Sequence, residues 1–534
     1  MKTPLNIIAF CCRLNRTVMA ALVTLALSAC VSMPPNDHQI SSTVLTDTDD
    51  TTMGRSVTEA VASNGGKTGV LLLNTGLGAF VARAVLAINA ERSLDVQYYL
   101  LHRDLSGRLL LDQLLKAADR GVRVRLLVDD MDMAAVDLGI AVMDAHPNME
   151  VRLFNPFARN RTRLVQYVSR FGSVTRRMHN KSFTADNQLS IIGGRNVGDE
   201  YFEAGAESGF ADMDVLLAGP AVKEVSKSFD LYWNSALSYT ANSLGEPVPS
   251  DATKTEAWES LQKWVTSKES SAYIQALRTS DLGRAIKSKE VEYHWADVEI
   301  FYDHPDKISA DRDQTHLHMS RHLSPYFDDA KSEVFIISPY FVPGKRGTQK
   351  LCGLSEKGVD VRVLTNSLAS TDVAVVHAGY LRYRKKLLKC GVRLYEANSK
   401  LVMRDANLSG YNVENRRRKK KLGMSRSSLH AKMFLFDRRF TFVGSLNLDP
   451  RSITENTEIG AVIDSRVIGE ELAQAMLNKV PKIAFTVTLD ENGKIRWDGY
   501  ENGEPVTYTR EPHTGFFKRA GTQFMRILPI ESQI

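Results

Sequence analysis

A chain of 534 residues that is 43% hydrophobic and 24% charged has an ordinary globular composition, long enough for two domains that each bury a core. Sixty-eight basic against sixty-two acidic residues leave a net charge of +6, too mild to name a partner by itself, so local charge has to be examined. No CxxC or HExxH occurs, and a metal site has no support.

The N-terminus reads as a secretory signal. Lys2, Arg13 and Arg16 precede an apolar run from Val18 to Ala29, too short to cross a bilayer as a helix. It ends in Leu27-Ser28-Ala29-Cys30, which looks like a bacterial lipoprotein processing box, so residues 1–29 are expected to leave and Cys30 to carry lipid. Val31 stands where an Asp would signal inner-membrane retention, which favours a lipid-anchored protein of the outer membrane facing the periplasm. Cys11 and Cys12 would depart with the signal. Cys352 and Cys390 remain, either paired or buried singly.

Residues 30–72 are rich in Ser, Thr, Asp and Asn without a sustained apolar period, and read as a flexible tether. Patterned sequence follows. Phe80–Ala90 has helical spacing, Leu94–Leu100 ("LDVQYYL") reads as a strand, Gly107–Arg120 as a helix, and "GVRVRLLVDD" from Gly121 ends in a buried strand. The same order recurs in "KSEVFIISPYF" from Lys331 and "GVDVRVLTNS" from Gly358. Strands alternating with helices predict an α/β fold, and the recurrence predicts an internal duplication. The expected division is a first half over 73–244, a polar helical connector over 245–293, a second half over 294–485, and a tail over 486–534.

Each half carries one copy of a motif. "HNKSFTADNQLSIIGGRN" runs from His179 to Asn196 and "HAKMFLFDRRFTFVGSLN" from His430 to Asn447. Each reads as a strand out, a tight reversal at Asp186-Asn187 or Asp437-Arg438, and a strand back. His179 with Lys181, and His430 with Lys432, lie on one face of their strands, and the returning strand brings Asn196 or Asn447 to the same end. Two such hairpins face to face would surround a phosphodiester with two imidazoles, two ammoniums and two amides. One imidazole can attack phosphorus while the other protonates the leaving alkoxide and then activates the incoming alcohol or water. Lys and Asn donors stabilise the phosphoryl oxygens. Asp212 and Glu458, each at the mouth of an apolar strand, are expected to orient the imidazoles, with Asp214 competing for the role of Asp212. Asp186 and Asp437 complete the motifs, as catalytic residues or as turn residues. His377 reads as a packed helix histidine or a substrate contact.

The repeated H-x-K-x4-D-x6-G-[GS]-x-N pattern resembles that of the phospholipase D superfamily. "LDVQYYL", "VRLFNPF", "GGRNVGDEYF", "TNSLASTDVAVVHAGY", "SPYFVP" and "GSLNLDPRS" are similar to its bacterial cardiolipin synthase C branch, over nearly all of the mature chain. The resemblance implies two similar domains, each a mixed β-sheet flanked by helices, related by a pseudo-twofold with the active site between them. It implies a phosphohistidine on His179, with His430 as acid and base, no cofactor, and phosphate contacts from Asn196, Ser445 and Asn447. It implies transfer of a phosphatidyl group from phosphatidylethanolamine to phosphatidylglycerol at a membrane surface, with any helper protein unspecified. A hydrolytic phospholipase D releasing phosphatidic acid is the alternative. A nucleic-acid phosphodiesterase fits a lipid-anchored, duplicated chain poorly, as does a non-enzymatic lipoprotein with both motifs intact. Gly194 stands where the second copy has Ser445, so the first half lacks one hydroxyl.

Two basic segments bear on the membrane. Arg416–Lys421 ("RRRKKK") is a solvated loop or an attraction to anionic lipid, each charge adding about 1 kcal/mol. Phe516, Phe517, Ala520, Phe524, Ile527 and Leu528 share one helical face, which either lies in an interface or docks on the core.

Overall fold

The computed structural model describes residues 33–37, 39–133, 137–170, 172–204, 208–245, 247–269, 271–288, 290–401 and 426–528. The signal over 1–29, Cys30 and the Arg416–Lys421 run lie outside the described residues. The first half contains β1 (Thr68–Leu73), β2 (Ser93–Tyr98), β3 (Arg123–Asp129), β4 (Met149–Phe154), β5 (Ser182–Ala185), β6 (Leu189–Gly193), β7 (Ser208–Ala211), β8 (Asp214–Ala218) and β9 (Ser238–Thr240). The second contains β10 (His294–Tyr302), β11 (Glu333–Ile337), β12 (Asp360–Asn366), β13 (Arg393–Ala397), β14 (Arg426–Leu429), β15 (Met433–Phe436), β16 (Phe440–Gly444), β17 (Ile459–Asp464), β18 (Ala484–Leu489), β19 (Ile495–Glu501) and β20 (Glu504–Tyr508).

The two halves repeat one sheet. In the first the spatial order is β9-β4-β3-β2-β5-β6-β8-β1, and in the second β20-β19-β18-β13-β12-β11-β15-β16-β17-β10. Three strands of each half (β2, β3, β4 and β11, β12, β13) are parallel, and helices such as Leu105–Asp119 and Gly344–Glu356 make the crossovers. Gly121 and Gly358 stand at matching places after those helices with φ of 91° and 89°, a left-handed turn into β3 and β12 that glycine accepts without strain. The sheets meet where β1 pairs antiparallel with β10, giving a continuous sheet of 18 strands. Apolar residues from both halves, among them Val70, Ile192, Val215, Ala296, Leu435, Val443 and Ala461, form one core across that junction. Cys352 and Cys390 form a disulfide with Cα atoms 5.4 Å apart, tying the helix Gly344–Glu356 to the end of the helix Arg384–Lys389.

Two expectations about the ends of the ordered body need correction. Residues 30–72 are not all tether. A helix spans Thr52–Ser63, capped by Thr51, and β1 begins at Thr68. Met53 and Val57 supply a short apolar stripe, but polar side chains do much of the fastening. Gln188 donates to Thr48 and Asp49, and Gln39 donates to the carbonyls of Trp233 and Ser235. A segment rich in Ser, Thr and Asp is thus ordered by hydrogen bonds to distant partners, which apolar periodicity does not report. The stretch after residue 485 is likewise more than a tail. β18 joins the second sheet beside β13, and β19 and β20 extend it. Residues 251–266, 272–278 and 281–288 of the segment between the halves are helical.

Candidate active site

The two motif hairpins form as the sequence patterning suggests. β5 pairs with β6 and β15 with β16, each through a three-residue reversal whose first two residues have positive φ: Asp186 and Asn187, Asp437 and Arg438. Asp and Asn adopt that left-handed geometry more readily than most residues.

The Asp of each motif sits at the turn, where its carboxylate accepts from backbone amides, the turn role that the sequence left open beside a catalytic one. Asp186 is fully buried and accepts from the backbone N–H groups of Glu91 (2.9 Å), Arg92 (2.8 Å) and Ser93 (2.8 Å), locking the hairpin tip to the start of β2. Asp437 accepts from Lys331 (2.9 Å), Ser332 (2.7 Å) and Glu333 (3.0 Å) at the start of β11. These amide bonds hold the Asp437 carboxyl below its usual range against the opposing effect of burial.

His179 and His430 leave their hairpins at the junction, and each is held by the other half. β14, which runs into His430, pairs in parallel with β7, which runs into Asp212, and the His430 amide donates to the Ala211 carbonyl at 2.8 Å. Met178 bridges in parallel to Thr457, and the His179 amide donates to the Thr457 carbonyl at 2.8 Å. Each crossing strand therefore delivers a carboxylate beside the opposite imidazole. His430 Nδ1 lies 2.5 Å from Asp212 Oδ2, and His179 Nδ1 lies 2.8 Å from Glu458 Oε2. Asn180 tightens the second crossing, accepting from the Thr457 hydroxyl at 2.8 Å. Asp214 takes no part. It is paired to Arg83 at 2.8 Å and to Arg195 at 3.3 Å.

With Nδ1–H of each ring donated to a carboxylate, Nε2 is the nitrogen left for chemistry. Lys181 Nζ donates to the His179 carbonyl at 2.5 Å, and Lys432 Nζ donates to the His430 carbonyl. Lys432 also stands 2.7 Å from His430 Nδ1. Since that nitrogen's proton points to Asp212, the ammonium cannot donate there, but it also lies 3.1 Å from Nε2, which accepts from it when the ring is neutral.

Burial sets the electrostatics of the group, and the neighbours then separate its members. Burial pushes the His179 imidazole well below its ordinary value, with Lys181 and Lys432 adding to the effect, so it is held neutral. Burial and Lys432 also lower His430, but Asp212 acts against them. Burial raises the Asp212 carboxyl, yet His430 and Lys432 outweigh it and hold the group below the usual carboxylate range. Glu458 is pushed up by burial to about 7, opposed by Lys181. Burial lowers Lys181 well below the ordinary lysine range and lowers Lys432 to about 8.

The amides and the hydroxyl flank this core. Asn196 accepts from the Leu100 amide at 3.2 Å and donates to the Tyr201 hydroxyl at 2.9 Å. Asn447 donates to the Ser452 hydroxyl at 3.5 Å, and its Oδ1 has no hydrogen-bond partner among the described residues. The Ser445 hydroxyl accepts from the Ile459 amide at 3.0 Å and donates to the Ile459 carbonyl at 3.3 Å, so it braces the strand that carries Glu458. Gly194 has a steric reason: a Cβ there would come within 2.3 Å of Asp212 Oδ1.

Three aromatic residues at the site escaped the sequence reading. The Tyr99 ring meets His179 edge-on at 5.1 Å and lies under Lys181 at 5.3 Å, while Tyr201 and Phe210 meet His430 at 5.2 Å and 5.0 Å. The Tyr99 signal was available in "QYY": period two sends Tyr98 to the core beside Arg83 and Tyr99 to the other face. His377 is buried in the helix Ala374–Tyr380, 3.8 Å from Glu511, in a network where Arg384 bonds both Glu396 and Glu511. His102, Asp104 and Glu200 form a second cluster. There, hydrogen bonding to Glu200 raises the imidazole to about 9, and Asp104 is committed to the amides of Gly107 and Asp199. The His102 cluster is an ion-pair network, whereas in the His377 cluster Nε2 of His377 and Oε2 of Glu511 have no hydrogen-bond partner among the described residues.

The family described as cardiolipin synthase, PLD-like domain, matches residues 86–233 and 323–480, one match for each half. The chain belongs to this family. It is accordingly a phosphodiester-cleaving enzyme of the phospholipase D superfamily. Cardiolipin synthase C of Escherichia coli (strain K12) is 38% identical over 471 residues, 87% of this chain and 96% of that protein. Cardiolipin synthase 2 of Staphylococcus epidermidis is 25% identical over 76% of this chain and 66% of its own length. The crystal structure of phosphatidylserine synthase from Haemophilus influenzae Rd KW20 superposes with a TM-score of 0.54 at 12% identity, covering 90% of this chain and all of that one, and supports the fold.

Proposed function

We propose that this enzyme transfers a phosphatidyl group from phosphatidylethanolamine to phosphatidylglycerol, forming cardiolipin through a phosphohistidine on His179. The observation that carries the reading is the crossed pairing of two imidazoles with carboxylates of opposite halves, Glu458 with His179 and Asp212 with His430. His179, held neutral, is the nucleophile: its Nε2 lone pair forms the P–N bond as the P–O bond to ethanolamine breaks. His430, in the protonated form that Asp212 favours against burial and Lys432, gives its Nε2 proton to that leaving oxygen. Neutral His430 then takes the proton of a phosphatidylglycerol hydroxyl, whose oxygen attacks phosphorus and releases His179. Lys181, Lys432, Asn196 and Asn447 are the donors that offset charge on the phosphoryl oxygens.

The name and extent of the Escherichia coli relative support cardiolipin as the product. A lipid anchor at Cys30, at the outer membrane and facing the periplasm, is part of the same proposal. The Cys352–Cys390 disulfide fits an oxidising compartment of that kind. The test is the purified full chain in vesicles of both lipids. Cardiolipin is expected, and His179→Ala is expected to abolish it. Phosphatidic acid as the dominant product would assign the hydrolytic reaction instead, and cardiolipin undiminished in His179→Ala would remove His179 from the nucleophile's role.

A further inference from the structure

The helix Phe516–Ile527 is built inside out. Its buried residue is Thr522, which faces the body of the second half, where the helix lies against the helix Ala374–Tyr380. At about 100° per residue, Phe516, Phe517, Ala520, Phe524, Ile527 and Leu528 fall in an arc of roughly 120° centred opposite Thr522. Phe516 is 70% exposed, Phe517 87%, Phe524 62% and Ile527 75%. A soluble helix ordinarily turns its apolar stripe inward, and this one presents three phenyl rings and an isoleucine outward.

Two further observations say what covers that face. Charge is the first: the helix has no carboxylate, and Lys518, Arg519 and Arg526 fall on the Thr522 side, away from the apolar arc, which leaves a segment of net positive charge that favours an anionic surface. Position is the second. The helix Ala374–Tyr380 begins just after Asp372, whose carboxylate accepts from the Tyr340 hydroxyl at 2.8 Å. Asp372 also acts electrostatically on Lys432 and on Tyr201, the residue against the His430 ring. The outward apolar face is therefore connected to the lip of the two-histidine site by a single short segment. Arg382 secures the far end, donating Nε to the Arg526 carbonyl at 2.8 Å and a second nitrogen to Leu528.

We propose that Phe516–Ile527 is an interfacial anchor that lies in the surface of an anionic phospholipid bilayer, holding the mouth of the site against the leaflet from which substrate enters. This deepens the phosphatidyl-transfer reading, yet its test needs no turnover. Hydrogen exchange is followed in the peptide covering residues 516–528 of the full chain, alone and with vesicles of phosphatidylethanolamine and phosphatidylglycerol. Several-fold slower exchange is expected with these vesicles and not with phosphatidylcholine vesicles. Phe517→Asp with Phe524→Asp is expected to abolish the protection without lowering the melting temperature, since both side chains are exposed. The same variant is expected to turn over vesicle lipid several-fold more slowly and a monodisperse short-chain lipid at the parent rate. The readout is local to the helix, so attachment of the chain elsewhere does not mimic it. Exchange unchanged by vesicles would overturn the proposal. So would equal protection on phosphatidylcholine, and so would protection in protein alone that grows with protein concentration, which would assign the face to a second copy of the chain.

Discussion

His179 and His430 occupy matching motif positions yet stand in unlike surroundings. Glu458 has one methylene more than Asp212, its strand is braced by Ser445, and its carboxyl is lifted by burial to about 7; Asp212 sits against Gly194 and is held as an anion by His430 and Lys432. The difference makes a pH prediction. Below about 7, Glu458 takes up a proton and no longer offsets positive charge arising on His179, so the rate falls on the acid side. Above about 8, Lys432 loses its proton and with it the charge that faces the phosphoryl oxygens, so the rate falls again. kcat/KM is therefore expected to fall on both sides of a maximum, with Glu458 shaping the acid limb and Lys432 contributing to the alkaline one, and Glu458→Gln is expected to flatten the acid limb while lowering the maximum. An acid limb that persists unchanged in Glu458→Gln would assign that titration to another group.

The hairpin is the element on which each half of the site depends, and its repeated Asp bonds backbone amides at the tip. Asp186→Ala would leave three backbone donors without their shared acceptor, a loss on the order of 3 kcal/mol given the usual cost of unsatisfied buried groups. A lowered melting temperature is expected, with activity per folded molecule kept within a few-fold at low temperature. Activity abolished in protein that remains folded would instead return Asp186 to the chemistry. The motif spacing located both hairpins correctly because period-two alternation and turn residues are local signals. It could not tell a carboxylate at the reacting centre from one at the tip, because that distinction depends on where the start of β2 or β11 lies in space.

The two halves are joined into one body. The β1–β10 pairing, a common apolar core and the crossing strands all join them. The disulfide Cys352–Cys390 closes a loop of 38 residues within the second half, worth up to about 4 kcal/mol by the chain-entropy relation. Replacing both cysteines with Ala is expected to lower the melting temperature in a single transition, with loss of activity tracking loss of structure. Two separated transitions would show that the halves unfold independently.

Local pattern alone determined the duplicated α/β architecture and the two hairpins, and it singled out His179, Lys181, His430 and Lys432 as candidates. Each of these rests on spacing within about twenty residues. Asp212 and Glu458 were legible as candidates, but not which imidazole each would hold. Only the tertiary structure decided that, because the partners lie 218 and 279 residues apart and meet through strand pairing between halves. The same holds for Asp214, which Arg83 and Arg195 claim, and for Gly194, where the approach of Asp212 leaves no room for a side chain. It holds too for the order of residues 52–73 and 484–508, where sheet edges and polar contacts supplied by distant segments do what an apolar period does elsewhere. Contacts of this range leave no period in the sequence, so only the folded chain specifies them.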